Sequence, residues 1–482
     1  MTSLRSPQFR CLAAATRGDI TPPVGIYHRM WGAALHDQAT GIHQPLTATL
    51  LWLESLHADP ATARLLISLD HCILESTELQ AIANEVAAAV QIQPDNVLIT
   101  LTHTHGSGWM ARSRSEFPGG QLIEPYLLSV RATLVRLAIE ARDRRVPCAA
   151  VTGTGKCSLA RHRDFFDTDR QHAVCGLNPD GDSDDTLLVT QISTVDGKPL
   201  VTVVNYACHP TTLAWDNTLI SPDWVGSMRD LVEQHTQTLC LFLQGASGDL
   251  GPREGFTGDL AVAEKNGREV GFAVLSTLQS LPTPGTHYVY QGPVLSGTWI
   301  GTWKHVPLPD EDTAGLADFS WHSTQIELPY RHDLPTIEDT IRQREHWQSE
   351  EDKARRDSDT EYLRRCRANA EQMTRQLTRL QALKPGRSWP LTVNIGLLGE
   401  SIWIFVPGEL YQVFQTELRK RFAPTPVFVT TLTGDWQPGY IPPASSFGYG
   451  IYQEVIAATS PGSLEILIEQ ITRTLRQLRS IT

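Results

Sequence analysis

Five apolar runs in this chain stop abruptly at side chains capable of chemistry. VLITLTHTHGSG stops at His103 and His105, VTVVNYACHPTT at His209, and LCLFLQGASGDLGP at Ser247 and Asp249. IWIFVPGE stops at Glu409, and VFVTTLTGDWQPGYIPP at Asp435 and Tyr440. Short β-branched and apolar runs read as strands. In α/β sheets the loops at strand ends are where ligand sites assemble. Five such endings predict one shared site.

The alternation of elements sets the fold class. Strands are expected over 65–69, 97–101, 187–192, 200–205, 239–243, 391–397, 402–406 and 427–432. Helical patterns cover 78–90, 125–142, 225–235, 261–278, 410–421 and 462–478. This reads as an α/β fold with a mixed β-sheet core and flanking helices. Residues 282–334, rich in Pro, Gly and Trp, read as a long excursion. Residues 336–384 are highly charged with weak apolar periodicity. They read as a pair of exposed helices, an insertion rather than a core element.

Composition excludes several function classes. A net charge of −12 disfavours nucleic acid as a partner, because phosphate binding needs a basic surface. No stretch reaches the about 18 apolar residues of a membrane helix, so no integral membrane segment is expected. The N-terminal stretch has no long apolar h-region, and the eight cysteines include no CxxC pair. Both point to a cytoplasmic protein with free thiols. The expected partner is a small-molecule substrate, and self-association into a homo-oligomer stays open.

His103 and His105 lie two apart. If the strand runs through Thr104, both imidazoles share one face, one for a metal and one for acid–base work. A turn carrying two surface histidines is the alternative. Cys208, next to His209, points to the opposite face and reads as a small buried hydrophobe. Pro210 forces a turn that fixes His209 at its strand end. Glu409 follows Pro407 and Gly408 at a helix start, where the helix dipole alone would favour an acid. The stretch from Gly245 to Gly251 is either a tight turn or a loop presenting Ser247 as a nucleophile and its amides as an oxyanion hole.

Together these motifs resemble the neutral (non-lysosomal) ceramidase family. The match runs through GDITPPVG at 18–25, THTH at 102–105, NYACHPTT at 205–212, SPDWVG at 221–226, GASGDLGP at 245–252, VPGE at 406–409 and GYIPP at 439–443. The resemblance implies one catalytic domain over 1–482, with 336–384 inserted in it. It implies a zinc ion held by His103, His209, Glu409 and Tyr440, with His105 and the Arg163 of ARHRD beside the reaction centre. A His₂Glu set with an oxygen donor suits a catalytic zinc.

Two departures bear on substrate. The family's catalytic Ser precedes the Pro of a GDxSP segment, and Gly251 stands in its place here. The family also continues into an immunoglobulin-like domain, whereas this sequence runs only about forty residues past Tyr440. The expectation is therefore a zinc-dependent amidohydrolase that does not cleave ceramide. A water activated by the metal would attack, with His105 moving the proton and Arg163 stabilising the oxyanion. Ser247 is the only nearby hydroxyl that could replace the missing one, and Asp249 lies in the same loop. A zinc esterase, lactonase or lyase, or a non-catalytic zinc-binding relative, are the competing readings of the same residues.

Overall fold

Alternation along the strands divides the apolar residues between two surfaces. Leu50 and Trp52 pack on one side of their strand, Leu51 and Leu53 on the other. The structure, a computed structural model, describes residues 2–481; Met1 and Thr482 lie outside the described residues. Its main sheet has eight strands: β1 (Gln8–Asp19), β2 (Thr47–Glu54), β3 (Arg64–Leu69), β4 (Val97–Leu101), β5 (Val146–Lys156), β6 (Thr186–Thr194), β7 (Pro199–Tyr206) and β8 (Leu239–Gln244). They lie in the order β8-β7-β6-β5-β1-β2-β3-β4. A second sheet contains β9 (Phe319–Pro329), β10 (Ser388–Leu398), β11 (Ser401–Phe405) and β12 (Val427–Thr430), in that order.

The two sheets face each other. Leu51, Leu66, Leu98 and Leu243 of the first pack with Trp403, Phe405 and Phe428 of the second. Helices α1 (Ser76–Val90) and α2 (Ile123–Asp143) cover the outer face of β2, β3 and β4. Helices α3 (Trp224–Thr236) and α4 (Leu260–Gln279) cover β6, β7 and β8. α5 (Ile337–Arg356) and α6 (Thr360–Ala382) form a hairpin, and α7 (Gln412–Phe422) and α8 (Ser463–Ile481) cover the second sheet. Among the described residues, no helix is long and apolar enough to cross a membrane.

Within these two sheets three strand pairs are parallel: β3 with β4, β7 with β8, and β11 with β12. A parallel pair needs a crossover, supplied here by α1, α3 and α7. The crossover leaves both carboxyl ends of a pair at one edge. His103, His209 and Glu409 each follow a strand of a different pair.

Several expectations change. β1, β2 and β5 were not foreseen; the QFRCLAAATRGD of β1 is rich in Ala and Arg, so pairing on both edges outweighs its weak strand propensity. The excursion at 282–334 is ordered as the hairpin Thr286–Leu295/Trp299–Pro307 followed by β9. β12 ends at Thr430 because Leu432 adopts a left-handed backbone (φ 54°). α7 begins at Gln412 because Glu409–Leu410 instead pairs in parallel with Tyr440–Ile441. Only α5 of the charged pair is largely exposed; α6 buries Arg367, Glu371 and Arg379 on one face.

A buried ion pair ties the site edge together. Asp70, just after β3, accepts from Arg229 Nη1 and Nη2 of α3 at 2.8 and 2.6 Å. It also accepts from Thr47 N at the start of β2 and from Thr102 Oγ1 beside His103. Burial favours the neutral acid, but Arg229 and these donors hold the Asp70 pKa below the usual carboxylate value. Asp70→Asn strips the charge from a buried pair and should cost about 3–5 kcal/mol at pH 7. A depressed folded-state pKa contributes stability above the unfolded value, so the gap to wild type should narrow only below about pH 4. Urea unfolding of both proteins at several pH values measures it.

Candidate functional site

The strand ends bring three acceptor atoms to one point. His103 Nε2 lies 3.1 Å from His209 Nε2 and 3.1 Å from Glu409 Oε2, and His209 Nε2 lies 3.2 Å from the same oxygen. The Tyr440 hydroxyl is 3.3 Å from His209 Nε2. All four residues are buried.

Each imidazole is turned by a backbone carbonyl. His103 Nδ1 donates to Cys72 O at 2.8 Å, and His209 Nδ1 donates to Ser247 O at 2.7 Å. With Nδ1 as donor, each Nε2 is the nitrogen left to face the centre. Positive charge is needed there. Burial opposes charging His103, but the Cys72 sulfur and the Glu409 carboxylate outweigh it and raise its pKa well above the usual value. Burial would likewise raise Glu409, yet the two histidines hold it well below. His209 falls to about 3, through burial and the Arg163 charge.

The set fits a small divalent cation. Ligand atoms about 2.0–2.1 Å from a tetrahedral ion are roughly 3.3 Å apart, close to the separations here. The residues that could hold it are His103, His209 and Glu409, with Tyr440 at the fourth corner; Cys72, His103 and His105 form a second overlapping group. Cys72 escaped the sequence reading because it sits in the loop after β3, outside any of the five motif endings.

The two histidines of THTH do not share a strand face. β4 stops at Leu101, His103 has a left-handed backbone (φ 68°), and His105 opens a 3₁₀ turn capped by Thr104. This turn still sets the rings 5.1 Å apart, nearly perpendicular. The His105 ring lies 4.8 Å from Trp31, and neither of its nitrogens has a hydrogen-bond partner. Burial, then the two neighbouring histidines, lower its pKa well below the unperturbed value expected from sequence.

Arg163 lies beside Tyr440. Its Nη2 donates to Gly248 O at 2.8 Å and to Tyr440 OH at 2.9 Å. Ser247 and Asp249 lie behind the donors. Ser247 Oγ is 2.6 Å from Gln244 Nε2 and 3.2 Å from His209 Nδ1, the ring edge turned away from the centre. Asp249 accepts from Gln412 N at 2.7 Å and Gln412 Nε2 at 2.9 Å, capping α7; burial raises its pKa to about 6. Asp435 accepts from Ser76 Oγ and Gln437 N.

The donors open into a cavity of about 520 Å³, walled by Trp31, Trp109, Trp215, Phe256 and Trp436. His105 and Arg163 also line it, and so do Glu371, Arg375 and Arg379 of α6. These α6 residues were missed because the density of charge over 336–384 reads as exposure, although α6 buries Cys366, Ala370, Leu377 and Leu380 at helical spacing. The available signal was charge at four-residue spacing, which lies along one helix face.

The fold is that of neutral ceramidases. A neutral ceramidase structure from Pseudomonas aeruginosa superposes with a TM-score of 0.65 at 14% identity, covering 97% of this chain and 74% of that one. A ceramidase complexed with C2 superposes at 0.63 with 13% identity and the same coverages. No protein-family model and no curated protein sequence matches the chain.

The Gly-rich turn separates two kinds of glycine. A Cβ at Gly251 would meet nothing nearer than Arg163 Cδ at 3.7 Å and Thr211 Oγ1 at 3.9 Å. A Cβ at Gly248 would lie 2.9 Å from Glu409 O, Leu410 O and Tyr411 Cδ1. Gly251→Ser should therefore unfold within about 0.5 kcal/mol of wild type. Gly248→Ala should lose about 1–3 kcal/mol by pressing on the backbone of Glu409. Denaturant unfolding of the two variants measures the difference.

Proposed function

We propose that the protein is a zinc-dependent amidohydrolase that cleaves the C–N bond of a small or N-acylated substrate. The observation that carries this reading is the convergence of His103, His209 and Glu409 at the floor of a cavity, beside an unpartnered His105. The ceramidase fold and the sequence resemblance support it. His103, His209, Glu409 and Tyr440 hold the metal, and the carbonyls of Cys72 and Ser247 fix the two imidazoles for that task. A zinc ion bound there supplies a Lewis acid that polarises a carbonyl and brings the pKa of water toward about 7.

The chain's own residues do the rest. His105 is neutral at neutral pH, so it can take a proton from the attacking water. It then passes that proton to the departing amine nitrogen. Arg163, held by Gly248 O and the Tyr440 hydroxyl, places fixed positive charge where the carbonyl oxygen becomes negative. Ser247 supports His209 from behind, which favours water over a seryl nucleophile. With Gly251 supplying no hydroxyl, ceramide is not expected to be turned over.

Metal analysis by mass spectrometry should find about one zinc per chain in wild type and a large loss in His209→Ala. A panel of amides and esters, with ceramides included, should yield an amide substrate whose turnover stops on chelation and returns with zinc. His105→Ala should keep its zinc and lose on the order of 10²–10⁴ in rate, while Ser247→Ala keeps most activity. A metal-free wild type with full activity, or a covalent adduct on Ser247, would sink the reading.

A further inference from the structure

α6 carries Arg367, Glu371, Arg375 and Arg379 four residues apart, so one buried face is lined with charge. Three of these charges are matched within the protein. Arg367 pairs with Asp37 at 2.7 Å and Glu351 at 3.1 Å. Glu371 accepts from Arg114 through two 2.9 Å bonds and from Arg375 Nε at 2.8 Å. Arg375 also donates from Nη2 to Met30 O.

Arg379 is the exception. It lines the cavity and is only 5% exposed. Its Nη2 donates to Gln376 Oε1 at 2.7 Å. Its Nε–H is buried and has no partner. Among the described residues, no carboxylate oxygen lies within the 4.0 Å of an ion pair. Burial lowers its pKa to about 10, so the guanidinium is still charged at neutral pH.

An unpaired buried charge is costly, and proteins seldom leave one without a use. This chain is not short of acids: it has 53 Asp and Glu against 41 Lys and Arg, yet none contacts Arg379, and Glu409 acts on it only from beyond ion-pair distance. The Arg379 side chain passes the backbone of Gly439, next to Tyr440, so it sits on the donor side of the cavity. Trp31, Trp109, Trp215, Phe256 and Trp436 line the same cavity. The cavity thus offers an apolar surface, the donor cluster and two cations without an ion-pair partner: Arg163, held by Gly248 O and the Tyr440 hydroxyl, and Arg379, whose Nε–H lacks even a hydrogen-bond partner.

We infer that the amide substrate carries a carboxylate, which docks on Arg379 while its apolar part lies along the tryptophan wall. The substrate class is then the N-acylated amino acids and related amido-carboxylates rather than neutral amides. Arg163 is already held by Gly248 O and the Tyr440 hydroxyl, whereas the Arg379 guanidinium is free to balance a monoanion, and its planar fork suits a carboxylate. This inference rests on the amidohydrolase reading for the word substrate, but the docking of the anion does not depend on turnover.

The test is equilibrium binding, read by titration calorimetry, with N-decanoylglycine and its uncharged carboxamide as probes. Both probes are titrated into wild type, Arg379→Gln and Arg379→Lys, each with bound metal and after chelation. Wild type should prefer the acid by about 10- to 100-fold, the usual worth of one hydrogen bond to a charged group. The preference should survive chelation, vanish in Arg379→Gln and largely return in Arg379→Lys. An equal affinity of wild type for the two probes overturns the inference whatever the variants do. So does a preference that disappears on chelation, because the carboxylate would then be sitting on the metal. An Arg379-dependent preference with no cleavage of any amide would uphold the anion site and defeat the hydrolase reading. Cleavage of neutral amides with no preference for the acid would do the reverse.

Discussion

Two imidazole nitrogens and a carboxylate oxygen held 3.1–3.2 Å apart repel one another unless positive charge lies among them. Nothing local to any one segment would bring them together, because 306 residues separate His103 from Glu409. The fold overcomes the repulsion by fixing each donor at the end of a strand whose neighbours it cannot leave. β4, β7 and β11 belong to three different parallel pairs. The pairs are joined across the sheets by Asn205, whose Nδ2 donates to Leu243 O and Val429 O. Gly434 N donates to Ile99 O, tying the loop that carries Tyr440 to β4. The burial of the two facing sheets therefore maintains the donor geometry.

The strand-end donors were legible in the sequence because a buried strand has few reasons to stop at His or Glu. Parallel pairing then fixed which edge they reach. Their detailed presentation was not legible. His103 and His105 come together through a left-handed residue and a 3₁₀ turn, and non-glycine residues adopt positive φ too rarely for a pattern of residue types to reveal it. β1 was hidden for a different reason. Its alanines have little strand preference alone, and pairing with β2 and β5 decides their state. α6 was hidden because its buried face mixes paired charges with the apolar stripe Cys366, Ala370, Leu377 and Leu380, and the charges read as exposure.

That charged face changes what the helical hairpin does. A surface insertion would be free to drift, but Glu371 is held by Arg114 from the loop before α2 and by Arg375 from its own helix. The burial of this carboxylate is offset by several cations, which hold its pKa at about 2. Arg29 reaches across to Arg367 O, adding a link from the loop after β1. α6 is thereby fixed as a wall of the cavity, with Arg375 lying over the Trp109 ring. The cavity lining therefore sets the cations Arg163, Arg375 and Arg379 beside Glu371 and Glu409 within an acidic protein.

The turn from Gly245 to Gly251 works chiefly as a clamp. Ser247 O orients His209, and Gly248 O receives both Arg163 and Gln453 Nε2. Gly248 N donates to Leu410 O, and Asp249 O receives Arg163 N. The Asp249 carboxylate caps α7, the helix that follows Glu409. Successive backbone groups of one short turn thus hold a metal-ligand candidate, a cation and the segment bearing a second ligand candidate. None of these tasks needs a hydroxyl at position 251, where the space for a side chain remains. The scaffold and the donor set can therefore persist when the hydroxyl is lost, and fold likeness alone cannot carry a nucleophile from one member of this architecture to another.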